Sequence, residues 1–348
     1  MGHEPITDRA GTLSRRRFTL GAVGATLSGL AGCITRGEDS GLEGAISIDG
    51  SNTVFPHGAV VAEEFQWRNN RVEISVQGSG TGAGFQRFCE GETDIQNASR
   101  EILEGDDDNE AVLCEENGIE YVGLETALDG IAVFVHPDND LVDCLTVEEL
   151  EAIWESGSDV DTWSDVRDEW PDEEIELYGR DPASGTFDYF TEALTGEVGN
   201  IRSDYSASAD TNVIVRGVRG AQYALGFGGA GYYYENEDDL KLLAVDNGDG
   251  CVKPSRETVE SEEYQPLTRP LYSYFRADAF DRDVVRSFAR FFFEEVDGEA
   301  TDADVVEDDE TLTWTQWAAR RVGFYGIPDE QVEASSEKLE DAIAEVTE

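Results

Sequence analysis

Gly78-Ser79-Gly80-Thr81-Gly82-Ala83-Gly84 follows an alternating apolar run, Val72, Ile74 and Val76, and opens into a helix-like segment carrying Phe85 and Phe88. A strand that ends in bare backbone and turns into a helix presents unpaired N–H groups and the positive end of the helix dipole. Such a junction is an anion site built without a cation. Two further stretches repeat the pattern. Ile46-Ser47-Ile48 runs into Gly50-Ser51-Asn52-Thr53, and Glu176-Leu177-Tyr178 runs into Arg180-Asp181-Pro182-Ala183-Ser184-Gly185-Thr186. One glycine-rich turn alone is ordinary turn chemistry. Three in one chain, one of them carrying an arginine, point to an oxyanion ligand.

Outward from these junctions, strand and helix patterns alternate, which predicts an α/β protein. Pro56 to Trp67 reads as a helix, Asp94-Ile95 as a short strand feeding Asn97-Ala98-Ser99-Arg100, and Ala111 to Leu113 as part of a helix. Ile119 to Leu124 and Ile131 to Val135 read as two strands, with a domain crossover at Asp129-Gly130 between them. Thr146 and Glu149 have the spacing of a capping box. Strands are expected at Glu176 to Tyr178, Ala224 to Gly228 and Leu242 to Val245, then a return crossover near Tyr264 to Pro270. A strand from Arg269 to Tyr274 follows, with helices near 281–295, 311–321 and 328–346. The predicted division is 45–128 with 268–348 as one lobe and 129–267 as the other. Loops 50–53, 78–84 and 97–100 then face loop 180–186 across a cleft, where open α/β sheets bind ligands.

The 348 residues carry 76 Asp+Glu against 25 Lys+Arg, a formal net charge of −51, and the lysines are only Lys241, Lys253 and Lys338. Periodic apolar blocks, 39% hydrophobic and 10% aromatic, argue against a disordered chain. The acids are spread rather than clustered, which argues against a nucleic-acid mimic or a nucleic-acid partner. A hypersaline source, such as a haloarchaeon, accounts for the balance. At 1 M salt the Debye length is about 3 Å, so self-repulsion is screened and short-range hydrogen bonds decide anion binding. The acidic composition therefore does not exclude an anionic ligand. The run Asp302 to Glu310 reads as a solvated loop.

Ser14-Arg15-Arg16-Arg17-Phe18-Thr19-Leu20 matches the twin-arginine export pattern, an apolar stretch from Leu20 to Ala31 follows, and Leu30-Ala31-Gly32-Cys33 reads as a lipobox. Residues 1–32 are the expected removed signal, Cys33 the lipidated residue, and 33–44 a tether holding the protein on the outer face of the cell membrane. Four cysteines remain, Cys89, Cys114, Cys144 and Cys251, enough for two disulfides outside the cell. Cys89–Cys114 and Cys144–Cys251 are the favoured pairing, with four buried thiols as the alternative. No cysteine or histidine spacing resembles a metal site, and no cofactor is expected.

Four motifs in order carry a resemblance: Asp49-Gly50-Ser51-Asn52-Thr53-Val54-Phe55-Pro56, Gly78 to Phe85, Asp94-Ile95-Gln96-Asn97-Ala98-Ser99-Arg100, and Arg180 followed by Ser184-Gly185-Thr186. Together they resemble the phosphate-binding protein of the high-affinity phosphate ABC transporter, from about residue 45 to the Arg269-Pro270-Leu271 strand. The resemblance implies a type II periplasmic-binding-protein fold, two α/β lobes joined by a two-crossover hinge, that buries one phosphate between the lobes. It implies a monomer that delivers phosphate to a membrane permease and catalyses no reaction. By position it implies ligand contacts from Thr53 and the Val54 amide, from Thr81 with Ser79 beside it, from Ser99 and Arg100, and from Arg180, Ser184, Gly185 and Thr186. A guanidinium can fork onto two phosphate oxygens. Familiar members of the family have an aspartate where Arg100 stands, accepting the proton of hydrogen phosphate and so rejecting sulfate. Either Arg100 adds a second cation or another carboxylate takes the role, with Asp129, Asp181 and Asp188 as candidates.

The other readings have their own marks. Thr53 could serve only as a helix N-cap, Arg180 as a surface ion pair, and Arg100 as a partner of Glu101 or Glu104. The same fold could take sulfate, molybdate or tungstate. A serine phosphoesterase using Ser79 or Ser184 would need a base, and neither His57 nor His136 has a recognisable partner. A structural or adhesion lipoprotein of the surface would show no ligand-induced closure. Trp154, Trp163, Trp170, Trp314 and Trp317 read as packing residues.

Overall fold

The computed structural model describes residues 41–104, 109–234, 239–296 and 311–347. The twin-arginine segment, Cys33 and the acidic run from Asp302 to Glu310 lie outside the described residues. Strands run in chain order as β1 (Glu43–Gly50), β2 (Arg71–Val76), β3 (Ile95–Ala98), β4 (Tyr121–Val135), β5 (Cys144–Thr146) and β6 (Leu177–Arg180). They continue as β7 (Ser206–Ser208), β8 (Leu225–Gly229), β9 (Lys241–Leu242), β10 (Ala244–Asp246), β11 (Cys251–Val252) and β12 (Thr268–Arg276). Among the described residues nine strands share one sheet, ordered β2-β1-β3-β12-β4-β8-β6-β7 with β9 also on β4, and β11-β10-β5 form a second. No helix among these residues is long and apolar enough to cross a membrane.

The sequence reading breaks β4 in two; the structure has a single strand of 15 residues. Its first part pairs antiparallel with β12, from Tyr121 opposite Arg276 to Gly130 opposite Thr268. From Ile131 opposite Gly229 it pairs with β8 instead. Asp129-Gly130 is therefore the point where one strand changes partner, not a loop. Burial explains why no turn forms. Side chains alternate until Glu125, and every residue from Thr126 to Val135 is buried, as in a strand covered on both faces.

The apolar side chains fall into two main cores on either side of that point. One holds Phe134, Trp154, Trp163, Phe190 and Phe227. Phe190 stacks on Phe227 at 3.7 Å between centroids, and Trp154 meets Phe227 edge-on at 5.0 Å. The other holds Ile46, Phe65, Phe275, Phe288, Trp314 and Trp317. A smaller cluster of Phe85, Phe88 and Tyr274 surrounds a Cys89–Cys114 disulfide, which ties helix Thr81–Cys89 to helix Glu110–Glu116. A second disulfide, Cys144–Cys251, ties β5 to β11 across 107 residues of chain. Closing a loop of that length removes enough unfolded-state entropy to be worth about 5 kcal/mol in the chain-entropy model. At the next junction Thr146 Oγ1 accepts from the Glu149 N–H at 3.1 Å, and a Glu149 oxygen accepts from the Thr146 N–H at 2.9 Å. That reciprocal pair fixes the start of helix Val147–Trp154.

His57 sits fully buried in helix Phe55–Arg68, its Nε2 donating to the Thr315 carbonyl at 3.0 Å, while Nδ1 has no partner. Burial disfavours the imidazolium and lowers its pKa from 6.5 to about 4, the Thr315 bond opposing in part. Between those values the unfolded chain takes up a proton that the native protein refuses, so stability is lost as pH falls from about 6.5 to about 4. The expected loss is about 3 kcal/mol over that window. Urea unfolding at pH 7 and pH 4.5 should show a smaller acid penalty for His57→Asn than for the wild type. Equal penalties would mean that His57 does not carry the effect.

Candidate anion-binding site

The first two glycine-rich junctions are knitted together by a buried carboxylate and by backbone bonds. Asp49, at the end of β1, accepts from the Gly50 N–H at 2.8 Å, from the Ser79 N–H at 3.1 Å and from Arg87. Gly50 has φ +132°, and a Cβ there would stand 2.0 Å from the Asn97 carbonyl oxygen. Only glycine lets the first loop lie this close to the end of β3. The Gly80 N–H in turn donates to the Gly50 carbonyl at 2.8 Å, and Gly80, at φ +98°, precedes helix Thr81–Cys89.

At the third junction β6 delivers Arg180 and helix Gly185–Thr195 begins on Ser184. Arg180 Nε donates to Ser184 Oγ at 3.0 Å, and its Nη1 donates to Thr211 Oγ1 at 2.6 Å and to the Ala209 carbonyl at 2.7 Å. No carboxylate among the described residues pairs with it, so the surface-bridge reading fails. Ser184 Oγ also accepts from the Thr186 N–H at 3.3 Å. With its lone pairs engaged, that hydroxyl has its proton to offer.

These groups meet Thr53 around a cavity of about 200 Å³, lined also by Asn52, Thr186, Thr211 and Phe324. That volume is below the range of drug-sized ligands and suits a small ion. Among the described residues no carboxylate lines it. The approach across it is close: a Cβ on Gly185 would fall 1.6 Å from Thr53 Oγ1. Thr53 is not the helix cap, since Val54 holds that position with no side-chain bond.

The structure thus brings together Thr53, Arg180, Ser184, Gly185 and Thr186, and it does not place every residue of the sequence reading on the cavity. Val54 buries its side chain with Ala127 and Leu271. The Ser79 amide is spent on Asp49. Thr81 and Ser99 bond each other, hydroxyl to hydroxyl, at 3.0 Å. Arg100 turns away: both its Nη atoms reach the Glu110 carboxylate at 2.8 Å. It borders a different cavity of about 670 Å³ whose walls include Glu101, Glu104 and Glu125. Three carboxylates make that larger space unsuited to an anion. Glu101 offers Arg100 only its backbone carbonyl, 3.0 Å from Nη1, and the carboxylate partner is Glu110, whose place at the helix start gives a bidentate geometry.

The three candidate acceptors also stand elsewhere. Asp181 holds the turn by accepting from the Ala183 N–H at 3.2 Å. Burial raises the pKa of Asp188 and of Asp129, with Arg269 opposing in both. Asp129 pairs with Arg269 at 3.3 Å. Arg269 itself escaped the sequence reading, where it figured only as part of a strand. So did Thr211, whose one signal was the Asp210-Thr211 start of helix Thr211–Gly220, capped by Asp210.

Comparison with known proteins gives the same direction. A PBP superfamily domain matches residues 35–296. Protein SphX of Synechocystis is 45% identical over 260 residues, 74% of this chain and 76% of that protein. The phosphate-binding protein PstS of Staphylococcus saprophyticus is 36% identical over 330 residues, 94% of each. A crystal structure of a possible phosphate binding protein from Planctomyces limnophilus superposes with a TM-score of 0.74 at 39% identity, covering 86% of this chain and 99% of that one.

Proposed function

We propose that this chain, which belongs to the phosphate-binding proteins of the PBP superfamily, captures inorganic phosphate outside the cytoplasm and delivers it to the permease of a phosphate ABC transporter. The observation that carries the proposal is the meeting of the Arg180 guanidinium, the Ser184-Gly185-Thr186 helix start and Thr53 on one small cavity free of carboxylates. An oxyanion there gains charge-assisted bonds from the arginine and neutral donors from amides and hydroxyls. Thr81 and Ser99, bonded to each other one loop away, join the donor set when a ligand replaces their mutual bond. Arg100, committed to Glu110, takes no part.

In this reading residues 45–128 and 268–348 form one lobe and 129–267 the other, with Leu128, Tyr325 and Ile327 of the first packing into the core of the second and with β4 and β12 as the connection that bends. Anchoring through Cys33 after twin-arginine export belongs to the same proposal and rests on the sequence motifs. No catalysed step is included. The Ser184 hydroxyl accepts from Arg180 and the Thr186 amide, and His57 is buried against Thr315, so His57 does not serve Ser184 as a base.

With no carboxylate on the walls among the described residues, the proton of hydrogen phosphate goes to a neutral acceptor, a hydroxyl, a backbone carbonyl or the Asn52 side-chain oxygen. A neutral hydrogen bond of that kind is worth about 1 kcal/mol. Calorimetry in several molar KCl should therefore show saturable phosphate binding, with sulfate weaker by about tenfold or less. Absence of phosphate binding would overturn the proposal. Sulfate bound more tightly than phosphate would favour another oxyanion as cargo.

A further inference from the structure

Behind the cavity, Arg269 reaches from β12 to three groups through one nitrogen. Its Nη2 lies 3.4 Å from Thr53 Oγ1, 3.2 Å from the Gly185 carbonyl oxygen and 3.3 Å from Asp129 Oδ2. The guanidinium lies 4.0 Å from the Tyr189 ring centroid, on helix Gly185–Thr195, and Asp129 is its cross-strand neighbour on β4. Arg269 is only 12% exposed, Asp129 is 1% exposed, and neither lines the cavity.

From this geometry we infer that Arg269 is a positioning residue of the anion site, a clasp that joins the Thr53 loop to the Gly185 helix start and turns the Thr53 hydroxyl proton toward the ligand. Arginine can only donate, so Thr53 Oγ1 must be the acceptor of that bond. A hydroxyl whose lone pair is taken from behind has its own proton left for the cavity side, which is the polarity an oxyanion needs. The Gly185 carbonyl, held by the same nitrogen, belongs to the opposite junction. The two bonds can coexist only while Thr53 and Gly185 are in contact, so the clasp favours the closed arrangement. Asp129 balances the charge, which keeps Arg269 from acting as a free counter-ion, and Tyr189 supports the plane of the fork. The chemistry is distinct from that of Arg180, which faces the cavity; Arg269 acts through another side chain.

The inference rests on the phosphate reading and deepens it. Its expected signature is in the rate of release, since a clasp formed after closure acts on escape more than on encounter. Removing Arg269 alone would strand a buried carboxylate, so the comparison runs from Asp129→Asn to the double variant Arg269→Met with Asp129→Asn. Release of radiolabelled phosphate in several molar KCl is expected to quicken about tenfold or more across that step, with association little changed. In a Thr53→Val background the same step should shrink to about threefold or less, because the hydroxyl through which Arg269 acts is gone. Should the double variant fail to fold by circular dichroism, Arg269→Lys keeps the charge beside Asp129 but ends about one bond short of where Nη2 stands and loses the plane over Tyr189, and it should also quicken release. Unchanged release, or a step of equal size with and without the Thr53 hydroxyl, would overturn the clasp while leaving the receptor reading intact. A wild-type protein that binds no phosphate would instead overturn the receptor reading and the clasp with it.

Discussion

Replacing Arg180 by alanine is expected to weaken phosphate binding by about 2–5 kcal/mol, roughly thirtyfold to several thousandfold. The size follows from its position. Among the described residues Arg180 is the one cation on the cavity wall, held by bonds to Ser184, Thr211 and the Ala209 carbonyl that aim it before any ligand arrives. Alanine removes the charge and also releases the Ser184 hydroxyl from the orientation that leaves its proton free. Arg180→Lys should fall between the two, since an ammonium supplies charge but no planar fork. Titrating each variant with phosphate in molar KCl checks this, because screening there removes the long-range field of a chain of net charge −51. An alanine variant of wild-type affinity would show that the anion is held elsewhere.

Much of the candidate cavity's lining was legible in the sequence because its parts are backbone features with fixed spacing. Strand, glycine turn and helix start follow one another within a few residues, and Thr53, Arg180, Ser184, Gly185 and Thr186 lie on such units. What failed were inferences about direction. Nothing near Arg100 in sequence reveals that Glu110, ten residues later, takes both its Nη atoms. Arg269 was hidden for another reason: it is the second residue of β12, where an arginine carries no local signature, and its hydrogen-bond partners are 84 to 216 residues away. The fold divided in the same way. The Thr146–Glu149 capping box and the helix beginning at Phe55 rest on local chemistry and were readable. The continuity of β4 depends on β12 and β8 covering it in turn, and a Gly130 that reads as a break instead admits the Tyr325 ring, 2.9 Å from where its Cβ would be.

Gly185→Ala is expected to separate binding from folding. A methyl group at that position would lie 1.6 Å from Thr53 Oγ1, 2.8 Å from its Cβ and 3.2 Å from its Cα. Thr53 is β-branched and cannot swing aside cheaply, so the conflict falls on the contact between the two junctions rather than on one flexible chain end. Within its own helix the change is benign: Gly185 is the first residue of Gly185–Thr195, and alanine is a better helix former by up to about 1 kcal/mol. Two opposite effects should therefore appear in one variant. Without ligand the unfolding midpoint should stay level or rise, because the loops can part to admit the methyl group. With phosphate the stabilisation should be largely lost, since overpacking of this kind costs about 1–3 kcal/mol in the arrangement that grips the ion, up to roughly a hundredfold in affinity. Thermal unfolding with and without phosphate, in the same molar KCl, reads both at once. If the variant keeps its full phosphate-induced shift, Thr53 and Gly185 do not touch in the bound protein, and the contact that Arg269 is inferred to clasp is not the one that holds the ligand.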